Sequence, residues 1–324
     1  MRRARCGALG DIGRTGGALL ALMWGLAGCS STALINGLTP DHDYAGPTRF
    51  AYAASPRHQL DLYRPGERAT PAPVLVFFYG GSWRSGERAD YRFAAAALAA
   101  RGFAVVVPDY RLHPEASYPD FLRDSAAAVG WAIRQAPRYG GDPRRVYLIG
   151  HSAGAYNAAM LAYDPRWLAA EGLSPEQIAG FIGLAGPYNF LPIQVPEVMP
   201  VFHWPDTTPD TQPITHVTSA APPTLLIVAG QDDLVDPTLN SAALADALRR
   251  VGVPVTFKRY DALNHYTTLG ALAWPLRWLA PVLDDIAEFV ATDRSGDRAR
   301  PGRAAAKVFP TAMEPEMRVV ARRD

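Results

Sequence analysis

The sequence predicts an α/β architecture: a mostly parallel central sheet, helices on both faces, and a small cap segment. Short continuous apolar runs, as at 74–79, are what strands covered on both faces require. These runs alternate with helical stretches, which argues for parallel strands joined by crossovers. A Pro-rich stretch at 187–223 interrupts the alternation, and one that long without periodicity is a loop or cap.

The elements follow in order. Residues 60–63 alternate like a short strand, and 74–79 form the first buried one. The Ala-rich segment 88–100 is helical, and 103–107 is a strand stopped by Pro108. A helix over 119–135 starts on a proline, as first helical turns often do. Strand 146–149 runs directly into a small-residue helix at 153–163. Strands follow at 178–184, 224–229 and 253–260, the last two separated by a helix at 239–251, and a helix over 275–291 closes the domain.

The chain has 324 residues, 48% hydrophobic and 19% charged, enough for a full core. The 32 basic and 31 acidic residues nearly cancel, which excludes a nucleic-acid partner on electrostatic grounds. No internal apolar run reaches the ~20 residues that span a bilayer.

Residues 1–28 read as a signal peptide. Arg2, Arg3, Arg5 and Arg14 precede a short apolar stretch, 16–28, that ends in Leu26-Ala27-Gly28-Cys29. This resembles the bacterial lipoprotein signal, which implies cleavage before Cys29 and acylation of its thiol. Several acyl chains then anchor the protein stably. An ordinary signal peptide with a coincidental cysteine is the alternative. Cys6 leaves with the signal, so no free thiol remains in the mature domain. Ser30 after the cysteine resembles outer-membrane sorting in Gram-negative bacteria, facing the periplasm or the cell surface. Residues 29–57 read as a tether and entry segment, 58–291 as the folded domain, and 292–324 as a disordered, mildly basic tail with eight basic against five acidic residues.

Gly150-His151-Ser152-Ala153-Gly154 fits G-x-S-x-G between a buried strand and a helix. That context marks a nucleophile elbow, a strained strand-to-helix turn that lifts a serine hydroxyl clear of the sheet. A Gly-rich turn after a core strand is the ordinary alternative. An elbow serine needs an imidazole base, oriented by a carboxylate. Among seven histidines, His265, in the loop after strand 253–260, has the required position and chain order. The acid belongs after strand 224–229, where Asp232, Asp233 and Asp236 are available. Placement three residues after Gly230 selects Asp233, and an A-G-x-D-x-L-x-D spacing selects Asp232. Asp233 is preferred. Gly80-Gly81-Ser82-Trp83 follows strand 74–79, where a Gly-rich turn can aim backbone N–H groups at a developing oxyanion, with Ala153 after the serine as a second donor.

With these residues the chain resembles the α/β-hydrolase superfamily, and more closely bacterial carboxylesterases of the hormone-sensitive-lipase-like and feruloyl-esterase-like groups. The matching motifs are FYGGSW at 78–83, DYRLHPEASYP at 109–119, GHSAG at 150–154 and the Asp/His pair at 233 and 265. The resemblance implies an α/β-hydrolase fold and ester cleavage through an acyl-enzyme. Ser152 is then the nucleophile, His265 the base and Asp233 the acid, with Gly81, Ser82 and Ala153 donating to the oxyanion. The substrate is a small ester, and the reaction calls for no cofactor or metal. Tyr79 stands where these families usually carry histidine, which puts the packing of that loop in question, and Asp109 and Arg111 are read as loop braces. Two other readings remain: an amidase, aryl formamidase or exopeptidase on the same fold, and a catalytically silent binding module. The short stretch after Cys29 leaves no room for the extra domain of prolyl-oligopeptidase-type peptidases. Phe190, Phe202 and Trp204 in the cap either contact an acyl or aryl group or form the cap's own core.

Overall fold

The computed structural model describes residues 31–66 and 71–292. The signal peptide, Cys29 and the tail from 293 onward lie outside the described residues.

An eight-stranded sheet runs in the order β1-β2-β4-β3-β5-β6-β7-β8. Its strands are β1 (Tyr44–Ala51), β2 (Gln59–Pro65), β3 (Ala72–Phe78), β4 (Ala104–Pro108), β5 (Gly141–His151), β6 (Ile178–Leu184), β7 (Thr224–Gln231) and β8 (Val255–Asn264). β1 pairs antiparallel with β2, β2 antiparallel with β4, and every other pairing is parallel. Consecutive strand residues point to opposite faces. Every residue of β3, β4 and β6 is buried, so both faces of the sheet centre are covered.

The main helices are α1 (Ser31–Gly37), α2 (Arg92–Ala100), α3 (Asp120–Gln135), α4 (Ala153–Tyr163), α5 (Pro165–Ala170), α6 (Ala243–Arg250), α7 (His265–Gly270) and α8 (Val282–Thr292). Helices α3, α4 and α5 pack on one another. An ion pair from Arg101 to Asp284 ties the end of α2 to α8.

The entry segment differs from its reading as a tether. From residue 31 it is folded: α1 docks on the start of α2, and β1 forms the sheet edge. The Asn36 side chain donates to the carbonyls of Ala89 and Asp90 and accepts from the Phe93 N–H. Arg92 returns a bond to the Asn36 carbonyl. A seven-residue helix is too short to display a period, and β1 is mostly exposed, so neither carries the apolar signal that marks a core element. The closing helix is shorter than expected. Residues Trp274–Leu279 form a 3₁₀ segment, and α8 starts only after Pro281.

Candidate active site

Parallel register sets the site at the carboxyl ends of the strands. Phe78 of β3 lies opposite Gly150 of β5, so the loop after β3 runs beside the elbow after β5. At the elbow Ser152 has φ 53° and ψ −125°, in the left-handed half of backbone space that disfavours a side chain. Its N–H donates to the Leu184 carbonyl on the neighbouring strand end. Gly154 lies so close to the Phe78 and Tyr79 carbonyls that a Cβ there would overlap them. The elbow's last glycine therefore meets a steric demand, as the motif predicts.

His265 is the first residue of α7, held by a reciprocal cap in which Asn264 accepts from the Thr267 N–H and Thr267 Oγ1 accepts from the Asn264 N–H. The ring is buried. Its Nε2 lies 2.9 Å from Ser152 Oγ and its Nδ1 lies 2.9 Å from Asp232 Oδ2.

The carboxylate behind the imidazole is thus Asp232, and the preference for Asp233 is corrected. β7 and β8 are longer than their apolar runs and stay paired to Gln231 opposite Asn264. The next residue on each strand, Asp232 and His265, then falls side by side. Asp233 is one residue further along the chain and exposed. Asp236 accepts from the Thr238 and Leu239 N–H groups at the start of the following helical turn. Asp232 Oδ1 accepts from the N–H groups of Leu234 and Val235. Burial pushes the Asp232 carboxyl up, but hydrogen bonds from His265 and these two amides outweigh it and hold the group below the usual carboxylate range.

After β3, Gly81 has φ 117°, Ser82 φ 53° and Trp83 φ 58°. Three successive residues in the left-handed region turn this loop back on itself, and the Ser85 N–H returns to the Gly81 carbonyl. The N–H groups of Gly81, Ser82 and Ala153 have no acceptor among the described residues. Trp83 is pinned from below, its Nε1–H donating 2.9 Å to Asn157 Oδ1 inside α4. Asn157 was missed by sequence reasoning, although a polar residue within the apolar run of α4 was a legible signal. Asn157 in turn donates to Ser125 Oγ.

Tyr79 stands apart from the site. Its ring stacks between Tyr91 and Tyr110, and its hydroxyl accepts from Arg57 and donates to Asp109. Asp109 also pairs with Arg88, whose guanidinium reaches Asp61 as well. Arg111 holds Asp124 through Nε and Nη2. Asp109 and Arg111 therefore brace loops, and Tyr79 supports the site's loop through Arg57, which also donates to the Gly86 carbonyl.

His151, inside the elbow, donates from Nε2 to the His265 carbonyl at 3.0 Å. Burial and the neighbouring His265 push its pKa down to about 3. The folded state therefore refuses a proton that the unfolded chain binds near the ordinary histidine value of 6.5. This contribution to stability is complete above that value and erodes as pH falls toward 3. The wild type should lose melting temperature between pH 7.5 and pH 5, and His151→Gln should lose much less over the same interval. Thermal denaturation at the two pH values checks this, and equal losses refute it. The Asp232 contribution has a separate window. It is present above the ordinary aspartate value of 3.8 and lost as pH falls below it.

Ser152 and His265 line a cleft of about 970 Å³, with Asp232 behind the imidazole. The cap's first part lines it with Phe190, Leu191, Ile193 and Val198. Phe202 and Trp204 are not part of its wall. Phe202 packs in an aromatic cluster with Trp83, Tyr118, Phe121 and Tyr156, and Trp204 packs against the core. Asn240 anchors the base of the cap by accepting from the Tyr188 and Asn189 N–H groups. Thr32 and Ile35 of α1 also line the cleft, a contribution that the entry segment's composition did not announce. Among the described residues no cluster of metal-ligating side chains occurs, and no helix is long and apolar enough to cross a membrane.

The chain is 30% identical over 236 residues to a probable isoprenylcysteine alpha-carbonyl methylesterase of Arabidopsis thaliana, covering 66% of this chain and 49% of that protein. It is 31% identical over 228 residues to esterase LipC of Mycobacterium tuberculosis, covering 64% and 56%. It thus spans about half the length of these relatives. Among solved structures, esterase B of Lactobacillus rhamnosis superposes with a TM-score of 0.68 at 20% identity, over 86% of this chain and 97% of that one. Thermogutta terrifontis esterase 2 superposes with a TM-score of 0.65 at 22% identity, over 78% and 96%. These likenesses establish the α/β-hydrolase fold. The BD-FAE family model matches residues 60–248, more than half of the sequence, and the chain belongs to the BD-FAE family.

Proposed function

We propose that the protein is a lipid-anchored serine carboxylesterase that cleaves ester bonds through an acyl-enzyme. The observation that carries the reading is the His265 imidazole placed 2.9 Å from both Ser152 Oγ and Asp232 Oδ2. The esterase names of the relatives favour the same chemistry.

With Nδ1–H donated to Asp232, the Nε2 lone pair takes the Ser152 proton as Oγ attacks the ester carbonyl. The oxyanion is held by the amides of Gly81, Ser82 and Ala153. Collapse of the tetrahedral intermediate transfers the proton from Nε2 to the leaving alkoxide. Water, deprotonated by the same nitrogen, then releases the acid. Asp232 keeps the tautomer and stabilises the imidazolium. Cys29, acylated after signal cleavage, holds the enzyme on the bacterial envelope, at the outer membrane.

A fluorophosphonate probe is expected to label the wild type at one site and to leave Ser152→Ala unlabelled. Aryl esters are expected to turn over where matched aryl amides do not. Labelling that persists in Ser152→Ala refutes the nucleophile. Amide turnover matching ester turnover would make the enzyme an amidase, and a protein that neither labels nor cleaves would be the binding module.

A further inference from the structure

Helix α1 contributes Thr32 and Ile35 to the wall of the active-site cleft. Cys29 lies two residues before it in the sequence. The described chain therefore begins beside the cleft, and Asn36 and Arg92 clamp α1 to α2.

The same mouth carries unpartnered apolar side chains. Val195, Leu234, Leu239 and Tyr266 line the cleft and are nonetheless between 42% and 70% exposed. Leu34 on α1 and Leu38 just after it are about half exposed, though neither lines the cleft. Large apolar groups gathered around one opening mark an interaction surface. Asp233 and Asp236 are exposed on the same loop, and the exposed Arg84 lines the cleft as well.

We propose that the cleft mouth is seated on the bilayer that holds the anchor, with the collar of Val195, Leu234, Leu239 and Tyr266 inserted among the lipids and Leu34 and Leu38 of the first helix inserted with it, and that the enzyme draws its ester substrates, amphiphiles with an apolar chain, sideways from that bilayer. This rests on the esterase reading and on acylation of Cys29. An anchor at the rim brings the lipid surface to the opening, and the collar lets an acyl chain pass from lipid into a cleft walled by Phe190, Ile193 and Val198 without crossing water.

The test uses the full-length, acylated chain in phosphatidylcholine vesicles. Because Cys6 and Cys29 are the sole cysteines, one removed and one acylated, an introduced cysteine is a unique labelling site. A fluorophore at Leu34→Cys or Leu239→Cys should be strongly quenched by spin-labelled lipid, and one at Glu176→Cys, just before β6 at the far end of the sheet, should not. Absent quenching at 34 and 239, or equal quenching at 176, overturns the docking, including the case in which the collar is covered by a second copy or another protein. In parallel, the double variant Leu34→Glu/Leu38→Glu, at two positions outside the cleft wall, should hydrolyse a soluble acetate ester at the wild-type rate. Its hydrolysis of a long-chain ester dissolved in the vesicles should fall about tenfold, as two leucines no longer insert. An unchanged rate on the vesicle ester overturns lateral entry. A wild type inactive on the soluble ester overturns the esterase reading alone, while quenching still decides the docking.

Discussion

Asp232→Asn is expected to lower kcat/KM for a soluble ester by about 10⁴-fold, because an amide in that position stabilises the wrong tautomer of the base and leaves its cation without a partner. Asp233→Asn should leave the same constant within about twofold, as for an exposed group with no part in the site. The two positions are adjacent, carry the same side chain and differ in which way the chain faces. Asp232 Oδ2 is 2.9 Å from His265 Nδ1, and its other oxygen is tied to two backbone amides. Steady-state kinetics on the two variants decides the matter, and a large loss in Asp233→Asn with a small one in Asp232→Asn would reverse the assignment. Fold loss is separated from catalytic loss by the melting temperature, which Asp232→Asn should shift little beside its effect on rate.

Gly154→Ala should abolish activity and strip several degrees from the melting temperature. The added methyl would overlap the carbonyls of Phe78 and Tyr79, which are backbone and have no rotamer to yield. Overpacking of this kind costs roughly 1–3 kcal/mol, and relief comes only by prising the elbow from the end of β3. That movement shifts the Ala153 amide away from those of Gly81 and Ser82, which the proposed mechanism needs together to hold the oxyanion. Fluorophosphonate labelling of the folded fraction provides the check. Retention of wild-type labelling and stability would mean that the close approach at Gly154 is not needed.

Several parts of this site were legible in the residues. G-x-S-x-G between an apolar run and a small-residue helix located Ser152, and chain order located His265. The glycines after β3 located the left-handed loop beside the elbow. Each of these signals is local, because a left-handed turn or a close backbone approach restricts the residues that can occupy it. The acid was not legible in the same way. Gly230-Gln231-Asp232-Asp233 satisfies two spacing rules at once, and the choice depends on how far β7 and β8 remain paired. Register between strands separated by a helix has no signature within either strand.

The entry segment teaches a related lesson. Its composition is that of a linker, and β1 is largely exposed, yet it closes the sheet edge and α1 walls the cleft. The cap's aromatic residues divide for the same kind of reason. Phe190 faces the cleft and Phe202 is core, though both are phenylalanines in one Pro-rich stretch.

From its residues alone, then, the chain already specified a parallel α/β sheet, a serine at a strained elbow, the imidazole that meets it and a Gly-rich turn after β3, because steric limits on single turns and the solvation of single strands are written locally. Which carboxylate backs the imidazole, which aromatic faces the substrate, and that the first helix shapes the opening were decided only when distant segments met. Those outcomes are set by the pairing and packing of groups far apart along the chain, and no stretch of sequence holds them by itself.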